Sequence, residues 1–106
     1  MFFLMENLHH PGKDSERDRL RATHRDWVRS GGNGLCSVLI AWALWDADGG
    51  AMGHWGVLEA ATEADARAFS EGDPFFAEGV VRQLNLTRLA DGFQAARISE
   101  RMTVSE

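Results

Sequence analysis

His24 and Asp73 are the two residues of this chain whose type and setting point most directly to chemistry. His24 lies in a segment with Leu20, Trp27 and Val28 at helical spacing, four residues after Leu20 and three before Trp27. At about 100° per residue it points into the apolar stripe and not away from it. A histidine turned inward needs a hydrogen-bond partner, and a carboxylate there orients the imidazole and stabilises its charged form. A second reading stays open, a core or interface histidine satisfied by a backbone carbonyl. Asp73 stands in "EGDPFFAEGVV", residues 71–81. Asp before Pro is a favoured helix cap with proline at the first helical position, so Asp73 caps a short turn whether or not it also serves His24. With an unperturbed pKa of about 6.5, an imidazole held by a carboxylate is suited to accepting and returning protons at neutral pH.

Other polar residues carry weaker signals. Arg17, Arg21, Arg25 and Arg29 recur every four residues and wind slowly around the helix of His24, interspersed with Asp18 and Asp26. Most of that ladder reads as a solvated face, but Arg17 and Arg21 fall near the His24 side, where they would meet an anionic ligand. Adjacent His9 and His10 in the loop "HHPGK" lack the facial spacing of a metal-ligand set. His54, alone in a strand between Gly53 and Trp55, reads as structural. "SGGNG" follows a helix and precedes a strand, the reverse of a phosphate-cradling loop, and reads as a helix end. The single Cys36 leaves no intrachain disulfide and no CxxC metal or redox motif, so it reads as a small buried hydrophobe.

The elements that must position these residues fit one domain of 106 residues, 44% hydrophobic and 25% charged. Eleven Lys and Arg against sixteen Asp and Glu give a net charge of -5, which argues against nucleic acid as a partner. The longest apolar run, "LCSVLIAWALW", is too short to cross a bilayer, and "MFFLMENLHH" lacks the basic start and cleavage site of a signal peptide. A cytoplasmic protein without membrane contact is expected. "FFLMENL" reads as a first strand. Ser15 with Asp18 suggests a capping box, and the helix it opens runs to Ser30, where "GGNG" stops it. Residues 35–45 and "MGHWGVLEA" read as a hairpin around "DADGG". Thr62 with Asp65 caps a second helix that Gly72 ends, and "VVRQLNLTRLA" is a fourth strand. Asp91-Gly92 before "FQAARI" suggests a tight turn into a fifth strand, and the last residues look frayed. The order is βαββαβ with an appendage, an α+β plait of ferredoxin-like type with an antiparallel sheet.

The second strand is apolar on both faces, with Cys36, Val38, Ile40, Trp42 and Leu44 on one and Leu35, Leu39, Ala41, Ala43 and Trp45 on the other. Two helices cover only one face of a sheet. The economical cover for the other is a second copy, so a homodimer packed sheet to sheet is expected.

The segment "GHWGVLEAATEADARAFSEGDPFFAEGVVRQLNLTRL" resembles the second half of YciI-like proteins of the dimeric α+β barrel superfamily, with a strand ending Val-Leu-Glu, a helix, an Asp-Pro-aromatic motif and Ala-x-Gly. Upstream, "RATHRDWVRSGG" resembles that family's first helix. The resemblance covers residues 1–89 and leaves 90–106 as a C-terminal extension. It implies His24 and Asp73 as the centre of an active site; beside them Arg17, Arg21, Trp42 and Phe75 are expected to meet the substrate, and no cofactor or metal is expected. Its superfamily includes lactone isomerases and dehydrochlorinases, so the implied activity is proton transfer of isomerase or lyase type on a small anionic or aromatic molecule. The alternative is a non-catalytic dimeric module that binds a small molecule or a partner protein. One departure separates these: Ala41-Trp42 stands where the family usually has Gly-Pro. The indole either narrows the cavity toward flat ligands, or fills it and abolishes activity.

Overall fold

Strand β1 (Phe2–His9) alternates along its length, burying Phe3, Met5, Asn7 and His9 and leaving the residues between them more open. That period of two sets one covered face and one open face for the whole sheet. In the computed structural model, which describes residues 1–104, β1 is followed by α1 (Asp14–Gly34), β2 (Ser37–Trp45), β3 (Ala51–Glu59), α2 (Glu63–Gly72), the single turn α3 (Pro74–Ala77) and β4 (Val81–Arg88). The four strands form one antiparallel sheet in the order β2-β3-β1-β4, and the βαββαβ order makes it a ferredoxin-like α+β fold. Among the described residues no helix is long and apolar enough to cross a membrane.

Register fixes which side chains share a row. Phe3, Leu58 and Val38 form one row of the covered face, Met5, Gly56 and Ala41 the next, and Asn7, His54 and Ala43 the one beyond. On the open face Leu4 stands beside Val57 and Ile40, and Glu6 beside Trp55 and Trp42. The register of β2 shifts between Val38 and Ile40, which corrects the simple alternation expected there. Val38 joins Ala41 on the core side, while Ile40 and Trp42 stay on the open side. A bulge reassigns faces in this way because one extra residue inverts the parity of all that follow.

Phe3, Met5, Val38, Leu58, Ala66 and Phe69 make the main core, with Trp27 packed on it. The Trp27 indole N–H donates to the Phe69 carbonyl at 3.0 Å and ties α1 to α2. Helix α1 loses helical geometry at Gly31, Gly32 and Asn33, all with φ near +60°, so "GGNG" ends it as expected. A Cβ on Gly31 would sit 1.9 Å from the Cys36 carbonyl oxygen, and one on Gly32 would meet the Trp27 and Phe69 rings. Only glycine fits both positions.

Two expectations change. Helix α1 starts at Asp14 with Lys13 at the cap and no side-chain capping bond, so Ser15 and Asp18 form no capping box; Asp14 and Glu16 in the first turn favour the positive helix end instead. Thr62 does cap α2, accepting from the Asp65 N–H at 3.1 Å. Residues 93–98 form no fifth strand, and Ala95–Arg97 make a 3-10 turn. The chain then returns to the sheet edge, where Met102 and Thr103 donate their N–H groups to the Leu39 and Val38 carbonyls. The described tail is therefore anchored through Val104, and the frayed end expected beyond it lies outside the described residues.

Candidate active site

Asp73 is the hinge of the site. It ends α2 and caps α3, and its Oδ1 accepts the Phe75 N–H at 3.0 Å with Pro74 at the start of the turn. The same Oδ1 lies 2.8 Å from His24 Nδ1. Capping and orientation thus use one oxygen. Asp73 is 2% exposed, and its Oδ2 has no hydrogen-bond partner among the described residues. A carboxylate accepts only, so His24 Nδ1 carries the proton it donates, and in the neutral ring Nε2 then holds the lone pair, with no partner among the described residues. The Phe75 ring stacks on the His24 imidazole with centroids 4.2 Å apart and planes 8° from parallel, fixing the ring angle that the hydrogen bond alone leaves free.

Two further histidines extend this pair. His54 Nε2 lies 3.7 Å from Asp73 Oδ2, and His54 Nδ1 is 2.7 Å from His9 Nε2. His54 turns Nε2 toward the carboxylate, and one proton is shared in the hydrogen bond between its Nδ1 and His9 Nε2. Burial pushes His54 down to about 3, against the pull of Asp73, and burial with the Arg17 charge pushes His9 down to about 4. Both are neutral near pH 7. His9, His54, Asp73 and His24 therefore form one chain of rings and carboxylate, with Phe75 edge-on to His9 and His54. Among the described residues no group of three or more His, Cys, Asp and Glu is arranged to hold a metal ion.

His24 opens onto a cavity of 670 Å³, within the size range of small-molecule sites. One wall is α1, whose Arg17, Arg21, Arg25 and Arg29 all line it; the other is β2 with Trp42 and Trp45. Arg17 is 8% exposed and pairs with Asp14, and Arg21 pairs with Asp18 at 2.7 Å. Arg25 and Arg29 form no ion pair among the described residues. Arg17 is buried and Arg21 half-buried toward the His24 side, while Arg25 and Arg29 are exposed and border the cavity at its open rim, as steps of four residues that drift by about 40° each lead one to expect. Trp42 is 69% exposed and borders the cavity without filling it. Phe75 also lines it, 6% exposed and pinned between the imidazoles.

Sequence reasoning brought His24 and Asp73 together and missed His9 and His54. The signal for His54 was its parity with Gly56 and Leu58 in β3, and for His9 its parity with Phe3, Met5 and Asn7 in β1. Those parities meet only once the register sets Asn7 opposite His54.

A model of the YCII-related domain matches residues 1–90. Among solved structures, 5-chloro-2-hydroxyhydroquinone dehydrochlorinase (TftG) from Burkholderia phenoliruptrix AC1100, in complex with 2,5-dihydroxybenzoquinone, superposes with a TM-score of 0.74 at 22% identity, covering 87% of this chain and 96% of that one. An antibiotic biosynthesis monooxygenase-like protein from Bacteriodes thetaiotaomicron VPI-5482 superposes with a TM-score of 0.52 at 16% identity, covering 88% of this chain and 90% of that one. At these identities the two structures share the fold. No protein with a curated description matches this sequence.

Proposed function

The chain belongs to the YCII-related domain family, and on that premise we propose that it is a small enzyme that moves protons on a flat, anionic organic molecule, with His24 as general base and acid and Asp73 as the residue that orients it. One observation carries this reading: His24 Nδ1 is held by Asp73 at 2.8 Å while its Nε2 is left free in a ring that lines the cavity. A base so placed takes a proton from the substrate. In an isomerisation the same proton returns at another atom of the substrate; in an elimination the freed electron pair forms a double bond and expels an anion. Neither route needs an oxidant, a metal or a cofactor. The arginine wall, with Arg25 and Arg29 in no ion pair among the described residues, suits a carboxylate or phenolate, and the Trp45 ring suits a planar molecule. The dehydrochlorinase of similar fold binds a planar dihydroxyquinone. A non-catalytic module would be favoured by a cavity plugged by Trp42, and the exposed indole weighs against it.

The test is exchange of the ring hydrogens of 2,5-dihydroxybenzoquinone for deuterium in heavy water, followed by proton NMR. Exchange requires a proton delivered to and taken from one carbon. The wild-type protein is expected to speed exchange and His24→Ala to lose at least about a hundredfold of that acceleration. Equal rates with wild type and His24→Ala would remove the catalytic reading.

We assign the open sheet face to self-association. It carries Leu4, Ile40, Trp42 and Trp55 in adjacent rows, and Ile40 and Trp42 are 37% and 69% exposed. An apolar face of this kind calls for cover, and a second copy supplies it with the symmetry that dimers use. Light scattering is expected to give twice the chain mass of 11.8 kDa; a monomer at micromolar concentration would refute the dimer. We also place the protein in the cytoplasm, since its single, half-buried Cys36 leaves no intrachain disulfide, as suits a reducing compartment. Recovery in a secreted or membrane fraction would contradict that.

A further inference from the structure

The family match ends at residue 90, yet the far side of the cavity is lined by Met102 and Val104. Their segment is held too firmly to be an idle tail. Arg101 donates to Glu59 Oε1 at 2.7 Å and to Ser37 Oγ at 3.1 Å. The Thr103 hydroxyl is used in both directions, accepting the Val38 N–H at 2.8 Å and donating to the Val28 carbonyl at 2.7 Å. The Thr103 N–H reaches the Val38 carbonyl at 3.1 Å, and the Val104 N–H reaches the Arg29 carbonyl at 3.0 Å. These bonds run to β2 on one side and α1 on the other, so the segment bridges the cavity's two walls. Between the anchors, Met102 places its Sδ 3.0 Å from the Ala41 nitrogen, directly beside Trp42 in sequence.

We propose that residues 101–104 form the end wall of the ligand cavity, in which Met102 and Val104 set the size of ring system that fits between α1 and β2. Small residues stand opposite them on β2, Ala41 and Ala43, so the space between the walls is defined by the two tail side chains. Methionine fills irregular apolar gaps, and shortening it lengthens the cavity without touching His24, Asp73 or the arginines. The Thr103 hydroxyl and backbone bonds to Val38 and Val28 involve neither the Met102 nor the Val104 side chain, so they hold the segment when those side chains change. The inference rests on the reading of this cavity as the ligand site.

Benzoate and 2-naphthoate, a one-ring and a two-ring planar carboxylate, are the probes, with binding followed by tryptophan fluorescence and folding checked by circular dichroism. The Met102→Ala, Val104→Ala double variant is expected to shift the affinity ratio toward 2-naphthoate by about tenfold, and Met102→Trp to shift it toward benzoate by a similar factor, the range that a change of pocket size commands. Both ratios staying within about twofold of wild type, with both acids binding, would overturn the role of the tail alone. Wild-type protein that binds neither acid at millimolar concentration would overturn the ligand-site reading and this inference with it.

Discussion

The two ends of the covered sheet face are built from the same three strands and differ in kind. At one end Phe3, Leu58 and Val38 stand in a row, each 1% exposed or less, under Phe69 and Trp27. Two rows along, the same register brings Asn7 and His54 together, with His9, Asp73 and His24 around them. The apolar end gains free energy from burial. The polar end costs it: His9 and His54 are held neutral, and Asn7 Nδ2 and Oδ1, His9 Nδ1 and Asp73 Oδ2 are buried with no partner among the described residues. A fold that keeps such a cluster uses the stability of one end to hold the chemistry of the other.

The largest effect is expected at the apolar end. Phe69→Ala should remove about 4 kcal/mol by leaving a cavity between α2 and the sheet, read from urea unfolding, and the polar cluster should then lose its order along with the fold. A loss under about 1 kcal/mol would mean that the core is not where the stability lies.

Acid should attack the polar end. His9 and His54 stay neutral in the folded protein down to about 4 and about 3, while in the unfolded chain they take up protons below about 6.5. Between these limits the unfolded state binds more protons, so stability is full above about pH 6.5 and falls as pH drops toward 4. Unfolding measured at about pH 7 and about pH 5.3 should differ by roughly 3 kcal/mol, and His54→Leu should reduce that difference by about half. Parallel pH profiles for the two proteins would show that the buried histidines do not set the acid limit.

The smallest stability change belongs to Asp73→Asn. Asparagine caps about as well as aspartate, and Pro74 remains, so α3 should lose less than about 1 kcal/mol. A much larger loss would mean that the carboxylate's charge, beyond its capping oxygen, holds this end together.

These two ends were unequally legible from sequence. Helical spacing turned His24 inward, and the Asp-Pro-Phe cap marked Asp73, because both signals are local. The pairing of His9 with His54 spans two strands and needs a register that no local pattern states. The bulge in β2 erased the expected alternation at Val38, since a run apolar on both faces does not mark its own parity. The arginine wall was half visible: periodicity gave the ladder, but which side of α1 faces open space depends on where β2 ends. The tail failed as a strand because Asp91-Gly92 promised a hairpin, whereas the segment's anchors are Arg101 and Thr103, reaching back to Glu59, Ser37, Val38 and Val28.

The central claim is that Asp73 holds His24 with its proton on Nδ1 and its lone pair on Nε2 toward the cavity. Nitrogen-15 NMR of the histidine rings at about pH 8 reads this directly, since protonated and bare ring nitrogens differ widely in shift. The account predicts a protonated Nδ1 and a bare Nε2 for His24 in the wild-type protein, and a move toward the Nε2-protonated form in Asp73→Ala. His24 found already protonated on Nε2 in the wild type would contradict it.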